Sequence, residues 1–317
     1  MASSRPAERR YTAAPSVPAC SVIVCTRYRG ALLERCLRAL ASLDHPNYEV
    51  VVVDNTPGDP ETERVVRRAR VRYIRETRTG LSRARNAGAR TGGGELIAFI
   101  DDDAIAEPAW LRCHQAALAD PSLAASTGRI LPISSNPSAG SARARLVDLG
   151  ATPFLVDRAT PAWFEIANFG GLGFGGNMVF KHELFDAGFG FRESLGAGAP
   201  LGAAEELNAF FRIIRDGHRV AYVPEAIVRH DEPNNQGSRR AQEIDGARRY
   251  SAYLSMLLVE EPEFRGRTSR HILEALGRPP RPWRRTDATA REAGRLRILA
   301  AACGGPLLYL RAKRRTG

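Results

Sequence analysis

From residue 20 to residue 100, short runs of β-branched apolar residues alternate with segments whose apolar positions recur every three or four residues. That pattern predicts parallel strands joined by crossover helices. Cys20–Cys25 (CSVIVC) is the first expected strand, followed by a helix with Leu32, Leu33, Cys36, Leu37 and Leu40 on one face. Val50–Val53, Val71–Ile74 and Leu96–Ile100 are the next three strands, and Gly92, Gly93 and Gly94 close the helix before the last of them. In an open sheet of this kind ligands sit beyond the carboxyl ends of the strands. Thr26, Arg27, Asp54, Asn55 and the run Asp101, Asp102, Asp103 are therefore expected to line one crevice.

Farther along, Ser134–Ala144 (SSNPSAGSARA) reads as a loop and a boundary. Phe174–Phe180 (FGGNMVF) reads as a strand, Ala204–Asp216 as a helix ended by Gly217, and the residues around Tyr222 and Val228 as a pair of short strands. From about Arg239 the strand character is lost, and packed helices are expected to end in the basic tail Arg311–Arg315 (RAKRR). Met1–Pro18 lacks the continuous apolar core of a secretory signal and reads as a disordered leader. Ile298–Leu310 is apolar but too short to span a bilayer, and Gly304, Gly305 and Pro306 interrupt it. The expected organisation is a leader (1–18), an α/β domain (19–235, with halves 19–133 and 134–235) and a helical extension (236–317).

Composition narrows the classes. A chain of 317 residues with 44% hydrophobic content buries a full core, and 46 Lys and Arg against 35 Asp and Glu leave a formal charge of +11. That balance suits anionic partners such as nucleotides or lipid head groups. The five cysteines show no CxxC pair and no histidine at metal-site spacing, which argues against zinc and a disulfide framework and for a reducing cytoplasm. Leu307–Leu310 beside Arg311, Lys313, Arg314 and Arg315 suggests peripheral contact with the inner membrane face, the alternative being a packed helix with a solvated tail.

The sharpest chemical signal is Asp101-Asp102-Asp103 at the end of a buried strand, where uncompensated charge is unfavourable. Hard oxygen donors there suit Mg2+ or Mn2+, completed by substrate phosphates. Alternation puts Asp101 and Asp103 on one side and turns Asp102 away; the competing reading is a solvated acidic turn before the helix that begins near Pro108. Asp54 offers an acceptor to the N–H of a pyrimidine base, or else caps a turn. Between Gly80 and Gly88 the arginine-rich turn, Arg85 above all, can meet a diphosphate, or can be a solvated basic helix face. Glu205 and Glu206 open a helix with Leu207, Phe210, Phe211 and Ile214 on its apolar face. The wheel places Glu206 at the edge of that face and Glu205 outward, so Glu206 is the candidate base, although acids also favour helix N-termini for dipole reasons. His230, ending the run AIVRH, can complete a metal site or serve as a structural histidine.

Taken together, residues 20 to 235 resemble a family 2 glycosyltransferase. The resemblance implies a GT-A type, Rossmann-like, mostly parallel sheet flanked by helices, with the C-terminal helical extension beyond it. It implies an inverting transfer from a UDP- or dTDP-sugar to an acceptor hydroxyl in glycan, glycolipid or natural-product synthesis. Carried over by position, Thr26 and Asp54 are base contacts, and Gly80, Arg85 and Asn86 lie beside base and diphosphate. Asp101 and Asp103 match the DxD carboxylates, near the ribose and on the metal; Gly176 and Asn177 belong to the loop and strand before the acceptor site. The family's acidic pair is usually Glu-Asp, with its Asp as base; here the pair is Glu205-Glu206, one methylene longer at the second position. His230 falls where many members set a histidine against the metal. A sugar nucleotidyltransferase is the alternative enzyme class, but no glycine-rich phosphate loop with a lysine follows the first strand, which leads to TRYRG. A basic nucleic-acid-binding module accounts for the charge but not for three acids at a strand end, and no nucleic-acid partner is expected.

Overall fold

The computed structural model describes residues 19–56, 60–133, 148–230, 236–277 and 303–316. The expected leader and the Ser134–Ala144 loop lie outside these residues. The four apolar runs are strands, some longer than their apolar cores: β1 (Cys20–Thr26), β2 (Tyr48–Asp54), β3 (Arg72–Arg75) and β4 (Leu96–Asp101). β1 lies between β2 and β4 and is parallel to both, and β3 joins the outer side of β2. The valines and isoleucines of β1, β2 and β4 are buried on both faces because helices cover both, as a parallel sheet requires, while Ile74 in the edge strand β3 is half-buried.

On one face α1 (Gly30–Leu40) lays Leu33, Cys36, Leu37 and Leu40 into the core, while Leu32 is only half-buried. α2 (Pro60–Ala69) adds Val65 and Val66 to the same layer. On the other face α3 (Leu81–Thr91) comes so close to the sheet that a Cβ on Gly88 would collide with Ile23 and stand 3.0 Å from Val53. The chain then runs through β5 (Ala104–Ala106), α4 (Trp110–Leu118), β6 (Leu123–Leu131), β7 (Phe154–Val156) and α5 (Trp163–Asn168). It continues through β8 (Asn177–Lys181), α6 (Glu183–Asp186), α7 (Glu205–Arg215) and β9 (Arg219–His230). Among the described residues the sheet has the order β3-β2-β1-β4-β8-β6-β9-β5, with β7 on β9, and β8 is antiparallel to both of its neighbours.

Two expected elements differ. The stretch FGGNMVF is a strand only from Asn177, because Phe174–Gly176 form a turn closed by the Asn177 N–H on the Phe174 carbonyl at 3.0 Å. The pair of short strands around Tyr222 and Val228 is one strand, β9, whose pairing with β6 jumps from Val223 to Ile227. Pro224 has no N–H for the ladder, and the skipped residues bulge toward Gly128, where a Cβ would run into the Ala226 carbonyl.

The chain divides into two compact units, one comprising Met1–Phe191 and Glu206–Glu232, the other Arg192–Glu205 and Pro233–Gly317. In the second, α8 (Gln236–Glu260), α9 (Arg265–Gly277) and α10 (Gly305–Thr316) are the helices expected of the C-terminal region. α8 buries Ala252, Tyr253, Met256 and Leu257; α10 buries Tyr309 and Ala312, and the Tyr309 hydroxyl donates to Glu260 Oε1 at 2.9 Å. Among the described residues no helix is long and apolar enough to cross a membrane, and the five cysteines are free.

Candidate active site

Strand register assembles the site. Thr26 pairs with Asp54, Asp54 with Arg75, and Cys25 with Asp101, so the carboxyl ends of β1 to β4 carry their polar residues to one edge. Beyond Asp101 the chain turns through Asp102 and Asp103 into β5, whose first residue, Ala104, pairs with His230. That pairing sets His230 Nε2 2.9 Å from Asp103 Oδ1. One donor atom from each of Asp101, Asp103 and His230 lies within 4.8 Å of the others. Cis ligands on an octahedral ion with bonds of about 2.1 Å stand roughly 3 Å apart, so the donor set, two carboxylates and an imidazole, fits Mg2+ or Mn2+.

The surroundings keep these donors in place. Asp101 lies over a turn of two glycines: a Cβ on Gly176 would be 2.5 Å from Asp101 Oδ2, and one on Gly175 would be 2.9 Å from Arg85 Nη2. Burial pushes Asp103 upward, but the hydrogen bond and charge of His230 and the charge of Arg29 outweigh it and hold this carboxyl below its usual range. Asp102, in the turn beyond β4, is buried and lies outside this three-residue donor set. Burial lifts its carboxyl to about 6 against the lowering effect of the Thr26 hydroxyl and Arg29.

Several candidates have other partners than those expected. Thr26 is buried and donates to Asp102 Oδ2 at 2.6 Å. Asp54 is fully buried, its Oδ1 accepting the Thr56 N–H at 2.8 Å and its Oδ2 the Tyr73 hydroxyl at 2.7 Å. Arg27 is exposed and stacks on Tyr28. The Gly80 N–H donates to Asn55 Oδ1 at 2.8 Å. Arg85, expected at a diphosphate, is a buried cation instead: Nη2 donates to the Gly175 carbonyl at 3.0 Å, lies 3.5 Å from Asp101 Oδ1, and the guanidinium rests against Phe99 and Phe191. Its placement makes it a support for Asp101. Asn86 clamps the backbone of Phe191, giving Nδ2–H to its carbonyl at 2.8 Å and taking its N–H at 2.7 Å.

Asn177 is likewise structural. It is fully buried, its Oδ1 takes the Trp110 indole N–H at 2.8 Å and lies 2.9 Å from His114 Nε2, and its Nδ2 donates to the carbonyls of Arg129 and Ala226. The acidic pair reverses the expected order of burial. Glu205 is buried and Glu206 half-buried, and the chain enters α7 through Ala204 in a left-handed conformation (φ 66°).

Two arginines and a tyrosine of the site went unread in the sequence. Arg29 Nη1 donates to Asp102 Oδ1 at 3.1 Å and to Asp103 Oδ2 at 2.8 Å. Tyr73 donates to Asp54 and accepts from Arg75 Nη2 at 2.8 Å; burial and the bond to Asp54 raise its phenol to about 12. The available signal was position alone, since Arg29 follows β1 within TRYRG and Arg75 ends β3.

A half-parallel sheet continued by antiparallel strands, with a DxD turn at the end of β4 met by a histidine from β9, defines the GT-A class of fold. The chain belongs to the family described as Glycosyl transferase family 2, whose sequence profile matches residues 21–187, more than half of the 317. It is 39% identical over 114 residues to validoxylamine A glucosyltransferase of Streptomyces hygroscopicus subsp. jinggangensis, covering 33% of this chain and 26% of that protein. It is 32% identical over 104 residues to glycosyltransferase AglE of Haloferax volcanii, covering 30% of this chain and 34% of that one. The chain thus matches about a quarter to a third of the length of these curated relatives. Among solved structures, the mannosyltransferase PcManGT of Pyrobaculum calidifontis, in complex with GDP-Man and Mn2+, superposes with a TM-score of 0.54 at 20% identity, over 94% of this chain and 74% of that one. TarS 1-349 of S. aureus in complex with UDP-GlcNAc does so with a TM-score of 0.53 at 18% identity, over 74% and 66%. At these identities the likeness is one of fold.

Proposed function

We propose that the protein is an inverting, metal-dependent glycosyltransferase that moves a sugar from a UDP- or dTDP-sugar to an acceptor hydroxyl of a glycan, glycolipid or natural product. The observation that carries this reading is the convergence of Asp101, Asp103 and His230 at the carboxyl edge of the parallel strands, in a chain of glycosyl transferase family 2. The glucosyltransferase and mannosyltransferase names of its relatives support it.

Asp101, Asp103 and His230 would hold Mg2+ or Mn2+, which when bound supplies positive charge beside the departing nucleotide diphosphate. The chain's own residues do the rest. Asp54, fully buried, accepts from the Thr56 N–H and the Tyr73 hydroxyl and so fixes the end of β2 that faces the crevice. Arg85, buried under Asp101 with its guanidinium 3.5 Å from Oδ1, holds that carboxylate in place. Glu206 takes the proton of the attacking hydroxyl, with Glu205 behind it at the start of α7. The bond from acceptor oxygen to anomeric carbon forms as the bond from that carbon to the diphosphate oxygen breaks, which inverts the configuration. The test is a panel of UDP- and dTDP-sugars with Mn2+, assayed for release of free nucleotide diphosphate; release from any one, abolished by EDTA, is the expected result, and no release from any sugar donor rejects the reading.

A peripheral contact of the second unit with anionic membrane rests on α10. Opposite its buried Tyr309 and Ala312 it exposes Leu307 (60%) and Leu310 (51%) beside Arg311 and Arg314. Flotation with phosphatidylglycerol vesicles but not with neutral ones is the expected outcome, and no flotation with either rejects it.

A further inference from the structure

The middle acid of the Asp101–Asp103 run has no place in the donor set, and the structure gives it a different partner. Asp102 is buried and held from two sides, by the Thr26 hydroxyl on Oδ2 at 2.6 Å and by Arg29 Nη1 on Oδ1 at 3.1 Å. The same Nη1 reaches Asp103 Oδ2 at 2.8 Å. One guanidinium nitrogen therefore bridges a fixed carboxylate and a carboxylate of the cation site. The two sides of the bridge differ in freedom: Arg29 is 49% exposed, whereas the side chain of Asp102 is 5% exposed. Asp102 is the anchor and Arg29 the movable part.

Asp103 in this arrangement has both oxygens engaged, Oδ1 with His230 and Oδ2 with Arg29. A divalent ion that takes Asp103 meets a cation already resting on it. Three carboxylates at the strand end face two guanidiniums, those of Arg29 and Arg85. The cluster is thus partly neutralised before any ion arrives, and a bare dication must work against the charge of Arg29 at contact distance. A diphosphate changes that balance, because it brings negative charge and oxygen acceptors that suit a guanidinium as well as a carboxylate does.

We propose that Arg29 is a resident counter-ion of Asp103 that gives up this carboxylate to the divalent ion when the donor's diphosphate arrives, and that Asp102 keeps hold of the guanidinium as it turns to a phosphate oxygen. The inference rests on the reading of the site as a metal-dependent donor site and deepens it. Its consequence is coupling. Metal and nucleotide bind as a pair, each raising the affinity for the other, and the ion alone binds weakly. Arg29 is a binding and positioning residue in this scheme, and the carboxylate of Asp102, which touches neither ion nor donor, is what keeps it in reach.

The test is calorimetric titration of the full chain with MnCl2 alone, and with UDP or GDP in the presence and absence of MnCl2, for the wild type, Arg29→Met and Arg29→Lys. Thermal melting confirms that the variants fold. Arg29→Met is expected to bind Mn2+ alone roughly three to ten times more tightly than the wild type and to bind the nucleotide with Mn2+ more weakly by a similar factor, so that the coupling shrinks; Arg29→Lys restores part of it. If Arg29→Met leaves the affinity for Mn2+ alone unchanged or weakens it, the exchange is overturned while the metal site stands. If neither wild type nor variant binds Mn2+, with or without nucleotide, the metal-dependent reading falls and the exchange with it.

Discussion

His230 reaches Asp103 across 127 residues of chain because β5 starts one residue after Asp103 and its first residue pairs with His230 itself. The 2.9 Å contact is a product of register, and a slip by one residue would turn the imidazole to the other side of the sheet.

Removing either partner should therefore remove the ion and leave the fold. Asp103→Asn and His230→Ala are each expected to weaken Mn2+ binding tenfold or more in calorimetric titration, while thermal melting shifts by only a few degrees. Unchanged Mn2+ affinity in His230→Ala takes the histidine out of the donor set.

Gly176 tests the seat of Asp101. Gly176→Ala puts a methyl group 2.5 Å from Asp101 Oδ2, so the carboxylate has to move. Expected are a destabilisation of about 1–3 kcal/mol in urea unfolding and a loss of Mn2+ affinity larger than the same substitution at Gly266 produces, where no neighbour lies within 4 Å. Equal effects at the two glycines on metal binding would sink the idea that the turn shapes the site.

Asn177 tests the distinction between a ligand contact and a structural hub. Asn177→Ala strands the Trp110 indole, the His114 ring and two backbone carbonyls in a buried region. Urea unfolding should show a loss of about 3 kcal/mol or more. A loss below about 1 kcal/mol contradicts the hub.

The same hub predicts a pH effect. Burial, only partly offset by the bond to Asn177, lowers His114 from its ordinary 6.5 to about 4. The unfolded chain takes up a proton near pH 6.5 and the native chain only near pH 4. This stability is fully present above pH 6.5 and is lost as the pH falls toward 4, by up to about 3 kcal/mol. Urea unfolding at pH 7 and pH 4.5 should show a smaller drop for His114→Gln than for the wild type; equal drops contradict a neutral buried imidazole.

These residues mark where reading from sequence succeeds and where it stops. The parallel half of the sheet was legible because its inner strands, buried on both faces, are unbroken apolar runs such as VIV and VVVV. The DxD carboxylates were legible because three acids at the end of such a run need a counter-charge. β5 and β7 were not, since three residues carry no period, and β6 (LAASTGRIL) hides among small polar residues. The burial of Glu205 follows an entry through the left-handed Ala204, a conformation that no helical wheel contains. Arg85 was placed by its arginine-rich turn and Asn86 by family position, and only tertiary packing shows their polar groups engaged with Gly175 and Phe191.

For the acidic pair the prediction concerns rate. Glu206→Gln is expected to lower kcat by roughly 10²–10⁴ with donor affinity changed less than threefold, and Glu205→Gln to act mainly on stability, since that side chain is buried. If Glu205→Gln is the variant that loses turnover while melting as the wild type does, the two roles are exchanged.

The most direct test of the central claim is the affinity of the full chain for UDP, dTDP, GDP and ADP, measured by titration calorimetry with and without Mn2+ in the wild type and in Asp103→Asn. Mn2+ should raise the affinity for one of these nucleotides at least tenfold in the wild type and not in the variant. Binding that ignores Mn2+ for all four, or that responds equally in Asp103→Asn, contradicts a metal-dependent donor site at Asp101, Asp103 and His230.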